Sequence, residues 1–160
     1  EGAEGDVAVE LSDTKIRFTL GSVVLLSKLI EGTFPDYDRV TPKNNDKQMN
    51  VDKASFATAV DRVSTIASDR GGKAVKLSLR EGQLELSVTN PDHGTASEEL
   101  AVEFEPESFE IGFNARYLLD IIGQIRSENA VFLFNDAGSP TLVREDGDAK
   151  ALYVLMPMRV

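Results

Sequence analysis

The run Val51-Asp52-Lys53-Ala54-Ser55-Phe56-Ala57-Thr58-Ala59-Val60-Asp61-Arg62-Val63 and the run Phe113-Asn114-Ala115-Arg116-Tyr117-Leu118-Leu119-Asp120-Ile121-Ile122 interrupt a chain that otherwise alternates apolar with polar residues. In the first run and its continuation, Phe56, Ala59, Val60, Val63, Ile66 and Ala67 share one stripe at helical spacing. Asp52 stands just before it, where a side-chain oxygen can accept from the first unpaired backbone N–H groups. This predicts an amphipathic helix from Lys53 to about Ser68. Asn114 offers the same kind of cap to a second helix over 115–126, whose apolar face is Tyr117, Leu118, Ile121, Ile122 and Ile125.

Outward from these helices the period is two, the signature of half-buried antiparallel strands. It runs through Val7/Val9/Leu11, Ile16/Phe18/Leu20, Val75/Leu77/Leu79, Leu84/Leu86/Val88, Leu100/Val102/Phe104 and Phe109/Ile111/Phe113. Glu81-Gly82 and Asp146-Gly147 read as two-residue hairpin turns, the second as type I′, which requires positive φ. The caps Asp52 and Asn114 are 62 residues apart and the hairpin glycines Gly82 and Gly147 are 65 apart. The chain therefore repeats a unit of short strand, capped helix and three strands. Residues 1–47 read as the three-strand tail of another such pair, and 48–160 as one complete two-repeat domain. A half-domain leaves a sheet edge unpaired, which natural chains avoid, so the chain reads as a piece of a longer protein. The expected class is α+β, with antiparallel strands in repeated strand-helix-three-strand units.

Of the 160 residues, 41% are hydrophobic and 28% charged, enough apolar content for a core and too balanced for disorder. There is no cysteine, hence no disulfide framework and no thiolate metal or catalytic site. No apolar run, Val23 to Leu26 included, is nearly long enough to span a bilayer, so a soluble cytoplasmic protein with no membrane partner is expected. The net charge of -10 opposes a protein that grips DNA by neutralising phosphates. The two helices nevertheless carry +1 each, against -12 for everything else, so the helical surface is the less acidic one.

Catalytic chemistry finds little to use. The carboxylates lie on polar strand faces and in turns, where solvated surface is the ordinary reading. His93, the sole histidine, sits in the turn-like Asn90-Pro91-Asp92-His93-Gly94 with no second histidine or cysteine to complete a metal site. Asp36 and Asp38 flank Tyr37 without further clustered ligands. A non-enzyme without cofactor or metal is expected.

Three strings are more specific: Ser27-Lys28-Leu29-Ile30-Glu31-Gly32-Thr33-Phe34-Pro35-Asp36-Tyr37-Asp38-Arg39-Val40, Ile111-Gly112-Phe113-Asn114-Ala115-Arg116-Tyr117-Leu118-Leu119-Asp120, and the terminal Tyr153-Val154-Leu155-Met156-Pro157-Met158-Arg159-Val160. Together they resemble the beta subunit of bacterial DNA polymerase III, the replicative sliding clamp, over essentially the whole chain and in the right order. The resemblance implies the DNA-clamp fold, with helices lining a central hole and sheets outside. It implies a processivity factor of replication, closed head-to-tail as a homodimer that encircles duplex DNA. Residues 1–47 would then be the second half of the middle domain and 48–160 the C-terminal domain, in a cytoplasmic, nucleoid-associated protein.

The same resemblance implies a pocket for short peptides of DNA polymerase III alpha, the clamp loader, other polymerases and repair proteins. Transferred to matching positions, that pocket is Pro35, Arg39, Val40, Asn114, Tyr117, Pro140, Val154, Leu155, Met156, Pro157, Met158 and Arg159. Pro157 cannot donate to a strand ladder, so Met158, Arg159 and Val160 are expected to form a short apolar flap, and unbranched methionines suit a surface that accepts several partners. The ring interface would comprise Ile66, Ala67, Asp92, Thr95, Glu98 and Glu99, and the DNA-facing cations would be Arg62, Arg116 and Arg126. A position that carries an aromatic residue near the pocket in some relatives is Gly72 here, which would leave that rim open. The competing reading is a non-replicative β-rich adaptor that binds peptides along a sheet edge.

Overall fold

The computed structural model describes residues 5–33, 36–67, 73–105, 107–147 and 151–160, with the Val40 side chain left out. The chain divides into two compact units, Glu1–Asp36 and Tyr37–Val160.

In the first unit, β1 (Ala8–Leu11), β2 (Lys15–Leu20) and β3 (Val23–Lys28) form an antiparallel sheet in the order β1-β2-β3. Leu20 pairs with Val23 across Gly21-Ser22, where Gly21 takes the positive φ of 57° that the tight turn demands. Val7, Val9 and Leu11 are exposed, as are Val23 through Leu26.

The second unit opens with the short helix α1 (Tyr37–Val40) and then reads β4 (Lys47–Asp52), α2 (Lys53–Ser64), β5 (Ala74–Arg80), β6 (Gln83–Asn90) and β7 (Gly94–Ala101). The same sequence of elements follows as β8 (Phe109–Asn114), α3 (Ala115–Ile122), β9 (Asn129–Phe134), β10 (Thr141–Glu145) and β11 (Leu152–Leu155). Both anticipated caps form: the Asp52 carboxylate accepts from the Ser55 N–H at 2.8 Å and the Asn114 side-chain oxygen from the Arg116 N–H at 2.9 Å.

The repeats do not fold separately. One sheet runs β11-β10-β9-β4 and the other β7-β6-β5-β8, so the first strand of each repeat completes the sheet of its partner. A single apolar core joins the inner faces of both sheets to α2 and α3, which pack on each other. Phe56 of α2 meets Phe132 of β9 at 5.2 Å between ring centroids, and Phe109 of β8 meets Phe134 of β9 edge-on at the same separation. The half-domain swap thus buries large side chains from both repeats in one place.

Several local expectations are corrected. Both helices end about one turn early: α2 stops at Ser64 and α3 at Ile122. Each continues in tighter backbone bonds three residues apart, Thr65 N–H to Arg62 O and Ile125 N–H to Ile122 O, so Ile125 remains buried without being helical. Tyr117 is 56% exposed and does not belong to the core face. The strand through Leu100, Val102 and Phe104 ends at Ala101, after which Val102 and Glu103 turn their backbone bonds to Gly82 and Asn50.

Glu81-Gly82 is a two-residue turn, with Arg80 paired to Gln83 and Gly82 at φ 70°. Asp146-Gly147 is not: Arg144 pairs with Leu152, so the connection is longer, and Asp146 lacks the positive φ of a type I′ turn. The Asp146 N–H is drawn to the Ser127 hydroxyl instead.

Candidate peptide-docking site

The end of the chain crosses from one sheet to the other. Leu155 closes β11 on the edge of its sheet, Met156 and Pro157 leave the ladder, and the Met158 N–H donates to the Gly112 carbonyl of β8 at 2.8 Å. Under this crossing lies an apolar cavity of about 380 Å³ lined by Asn114, Tyr117, Asp120 and Ile121 on one side and by Val154, Leu155, Met156, Pro157 and Met158 on the other. Helix α3 supplies its first wall because Tyr117 and Ile121 are four residues apart and Asn114, as the N-cap, stands at the helix mouth. Strand β11 supplies the second, since Val154 alternates with the buried Leu155 and so faces away from the core. The exposed Met156 adds a flexible thioether.

Seven of the anticipated residues meet in this cavity: Asn114, Tyr117, Val154, Leu155, Met156, Pro157 and Met158. Arg159 does not line it. It faces a separate cavity of about 580 Å³ with Glu110, Gly112, Gly138 and Val160, and Pro157 and Met158 form the ridge between the two. Pro140 also stands apart from the first cavity, its carbonyl held by the Asn45 side chain at 2.9 Å. Arg39 is exposed on α1 and is not among the lining residues. Pro35, the Val40 side chain, Gly71 and Gly72 lie outside the described residues. Asp120 and Ile121 were missed as wall residues, although their spacing of three and four from Tyr117 places them on its face of the helix.

The anticipated flap is not loose. Met158 and Pro157 are half-buried, and the Met158 bond to Gly112 ties the segment down.

The residues assigned to a ring interface gather along one border. Thr95, Glu98 and Glu99 lie on β7, the free edge strand of its sheet, and Asp92 lies in the turn that leads into it. Ile66 and Ala67 follow α2, half-buried against the core. Asn90, itself buried, ties the two parts together: its amide donates to the Ile66 carbonyl at 2.8 Å and its side-chain oxygen accepts from the Asp92 N–H at 2.9 Å. Arg62 and Arg116 are exposed on α2 and α3, paired with Glu98 at 3.0 Å and Asp120 at 3.9 Å. Arg126 is exposed beyond α3, its backbone N–H bonded to the Glu145 carboxylate.

Among the described residues, three carboxylates sit below their ordinary range, at a helix cap, on a strand and in a turn. Hydrogen bonds from Ser55 lower Asp52, those from Lys76 and then Ser78 lower Glu110, and those from the Ser139 side chain and the Gly138 N–H lower Asp136. The causes are a helix cap at Asp52, contacts from the neighbouring strand at Glu110 and a turn at Asp136, all of which serve local structure. Among the described residues no three His, Cys, Asp or Glu side chains are grouped to hold a metal, and no helix is long and apolar enough to cross a membrane.

The family described as DNA polymerase III beta subunit, C-terminal domain, matches residues 38–159. The beta sliding clamp of Caulobacter vibrioides is 48% identical over 160 residues, an alignment that covers 100% of this chain and 43% of that protein. The beta sliding clamp of Escherichia coli K12 is 32% identical over the same span and coverage. A crystal structure of the Bartonella birtlesii sliding clamp bound to griselimycin superimposes with a TM-score of 0.89 at 57% identity, covering 98% of this chain and 42% of that one. The chain spans less than half the length of the curated relatives it matches. With two antiparallel four-stranded sheets completed by strand exchange, helices packed together, and these matches, the chain belongs to the DNA polymerase III beta subunit family, the sliding clamps.

Proposed function

We propose that this chain is part of a replication processivity factor, with residues 1–47 the second half of a middle clamp domain and 48–160 the C-terminal domain. In the whole protein, two copies close head-to-tail around duplex DNA in the cytoplasm, at the nucleoid. The chain performs no catalysis itself. It tethers enzymes by docking short peptides of DNA polymerase III alpha, of the clamp loader, and of other polymerases and repair proteins. The observation that carries this reading is the apolar cavity between α3 and the chain end, walled by Tyr117, Val154, Met156 and Met158. Its chemistry suits leucine and phenylalanine side chains, with Asn114 at the mouth as a polar contact. Family membership supports the same reading over a sheet-edge adaptor, and the Bartonella birtlesii relative was solved with griselimycin bound.

The test is a calorimetric titration of the intact protein with a short peptide carrying one glutamine and a Leu-Phe pair. Micromolar binding, roughly 8 kcal/mol, is expected, falling about tenfold or more in Tyr117→Ala while the fold is retained. Tyr117 is exposed, so its loss removes pocket wall and little core. Equal affinity in both proteins would place the docking site elsewhere.

A further inference from the structure

Asn50 and Gly112 occupy the same place in the two repeats: each stands two residues before its helix cap, on a strand that completes the other repeat's sheet. Each also receives the chain that leaves the third strand of its partner sheet. Glu103 bridges to Asn50 and Met158 bridges to Gly112. The two seams are closed differently. At the first, backbone bonds run both ways between Asn50 and Glu103, at 2.9 Å each, and the Asn50 amide adds a bond to the Glu103 carboxylate at 3.1 Å. At the second the backbone bond is Met158 N–H to Gly112 O.

Gly112 is buried although it shares its side of β8 with the exposed Glu110, because the chain end lies over it. Its φ is not in the left-handed region, so conformational freedom does not explain the glycine. Space does. A Cβ built there would fall inside contact with the Val160 side chain and only 2.7 Å from the Met158 carbonyl oxygen. Val160 could rotate away, but the Met158 carbonyl is backbone, and relieving it means moving the segment that carries Met156, Pro157 and Met158.

We propose, on the strength of the peptide-docking reading above, that Gly112 is a positioning residue for the pocket: the missing side chain lets the chain end seat on β8, and that seating sets Met158 as the ridge between the two cavities. Where the first repeat locks its seam with an asparagine, the second leaves a bare backbone contact and an open groove beside it. Gly112 touches no peptide itself. It acts through Met158.

The test compares the intact protein as wild type, Gly112→Ala, a form lacking residues 158–160, and the combination of the two changes. Gly112→Ala is expected to raise exchange of the Met158 amide about tenfold or more, to weaken the Gln-and-Leu-Phe peptide about tenfold, and to leave core amides protected. In the shortened protein the same substitution should cause no further loss of peptide, because the element it acts through is gone. Adding Val160→Gly to Gly112→Ala should recover part of the affinity by removing the side-chain half of the clash. A Met158 amide as protected in Gly112→Ala as in wild type overturns the proposal, as does a further loss of peptide in the shortened background. The amide measurement needs no peptide. It decides the seating of the tail even where Tyr117→Ala leaves peptide binding unchanged and the docking reading itself fails.

Discussion

The Arg62 guanidinium lies 3.0 Å from the Glu98 carboxylate, joining the solvent face of α2 to the edge strand β7. One residue was expected to face DNA and the other to meet a second subunit, and the two neutralise each other. The Arg62 side chain is 65% exposed, so the pair adds little to stability. A double-mutant cycle of Arg62→Ala and Glu98→Ala in urea should give a coupling below about 1 kcal/mol. Glu98→Gln should strengthen low-salt binding of duplex DNA by releasing the cation, and Arg62→Ala should weaken it. A coupling of several kcal/mol would show that Glu98 anchors α2.

Asn90 is a different case because it is buried and makes bonds in two directions, to Ile66 and to Asp92. Asn90→Ala strands the Ile66 carbonyl and is expected to cost about 1–3 kcal/mol by urea denaturation. The Asp92 amide should exchange faster in the same protein. In the intact clamp the change should also shift dimer toward monomer, since it loosens both halves of the border carrying Ile66 and Thr95. Unchanged subunit association with lowered stability would restrict Asn90 to holding the fold.

Phe132 sits at the crossing of both repeats, fully buried on β9 between β10 and β4, against Phe56 and Phe134. Phe132→Ala should destabilise by about 3–5 kcal/mol, the range for emptying an aromatic site in a packed core. Chemical denaturation checks it. A loss near 1 kcal/mol would mean that the two sheets collapse around the gap.

Acid should weaken the fold through carboxylates whose hydrogen bonds favour the charged form. Asp136 is held below the ordinary aspartate value first by the Ser139 side chain and then by the Gly138 N–H. A folded-state pKa below the unfolded one gives stability that is present above the unfolded value and is lost as pH falls through the folded value. Asp136→Asn should therefore flatten the decline of the urea midpoint between about pH 5 and 3. Parallel curves for the two proteins would remove Asp136 as a contributor.

Much of this protein is legible in short stretches of its sequence. Phe56, Val60 and Val63 announce a buried helical stripe, Asp52 and Asn114 mark where helices begin, and Glu81-Gly82 marks a turn, because each depends on neighbours within a few residues. Helix ends were less legible, since Ile125 is buried through a 3₁₀-like turn that the same apolar spacing would equally allow in a helix. Resemblance singled out Asn114, Tyr117, Met156 and Met158, and the structure brings these four together in one cavity.

Which strand joins which sheet could not be read locally, because β4 and β8 alternate like their neighbours and pairing is a contest among edges far apart in sequence. Only the folded chain puts β4 beside β9 and β8 beside β5. From that exchange follow the seam, the cavity, and the separation of Arg159 from Asn114 to opposite sides of the Met158 ridge. It also gives Gly112 its meaning: a glycine in a strand says that something comes close, and what comes close is the end of the chain, 46 residues later at Met158.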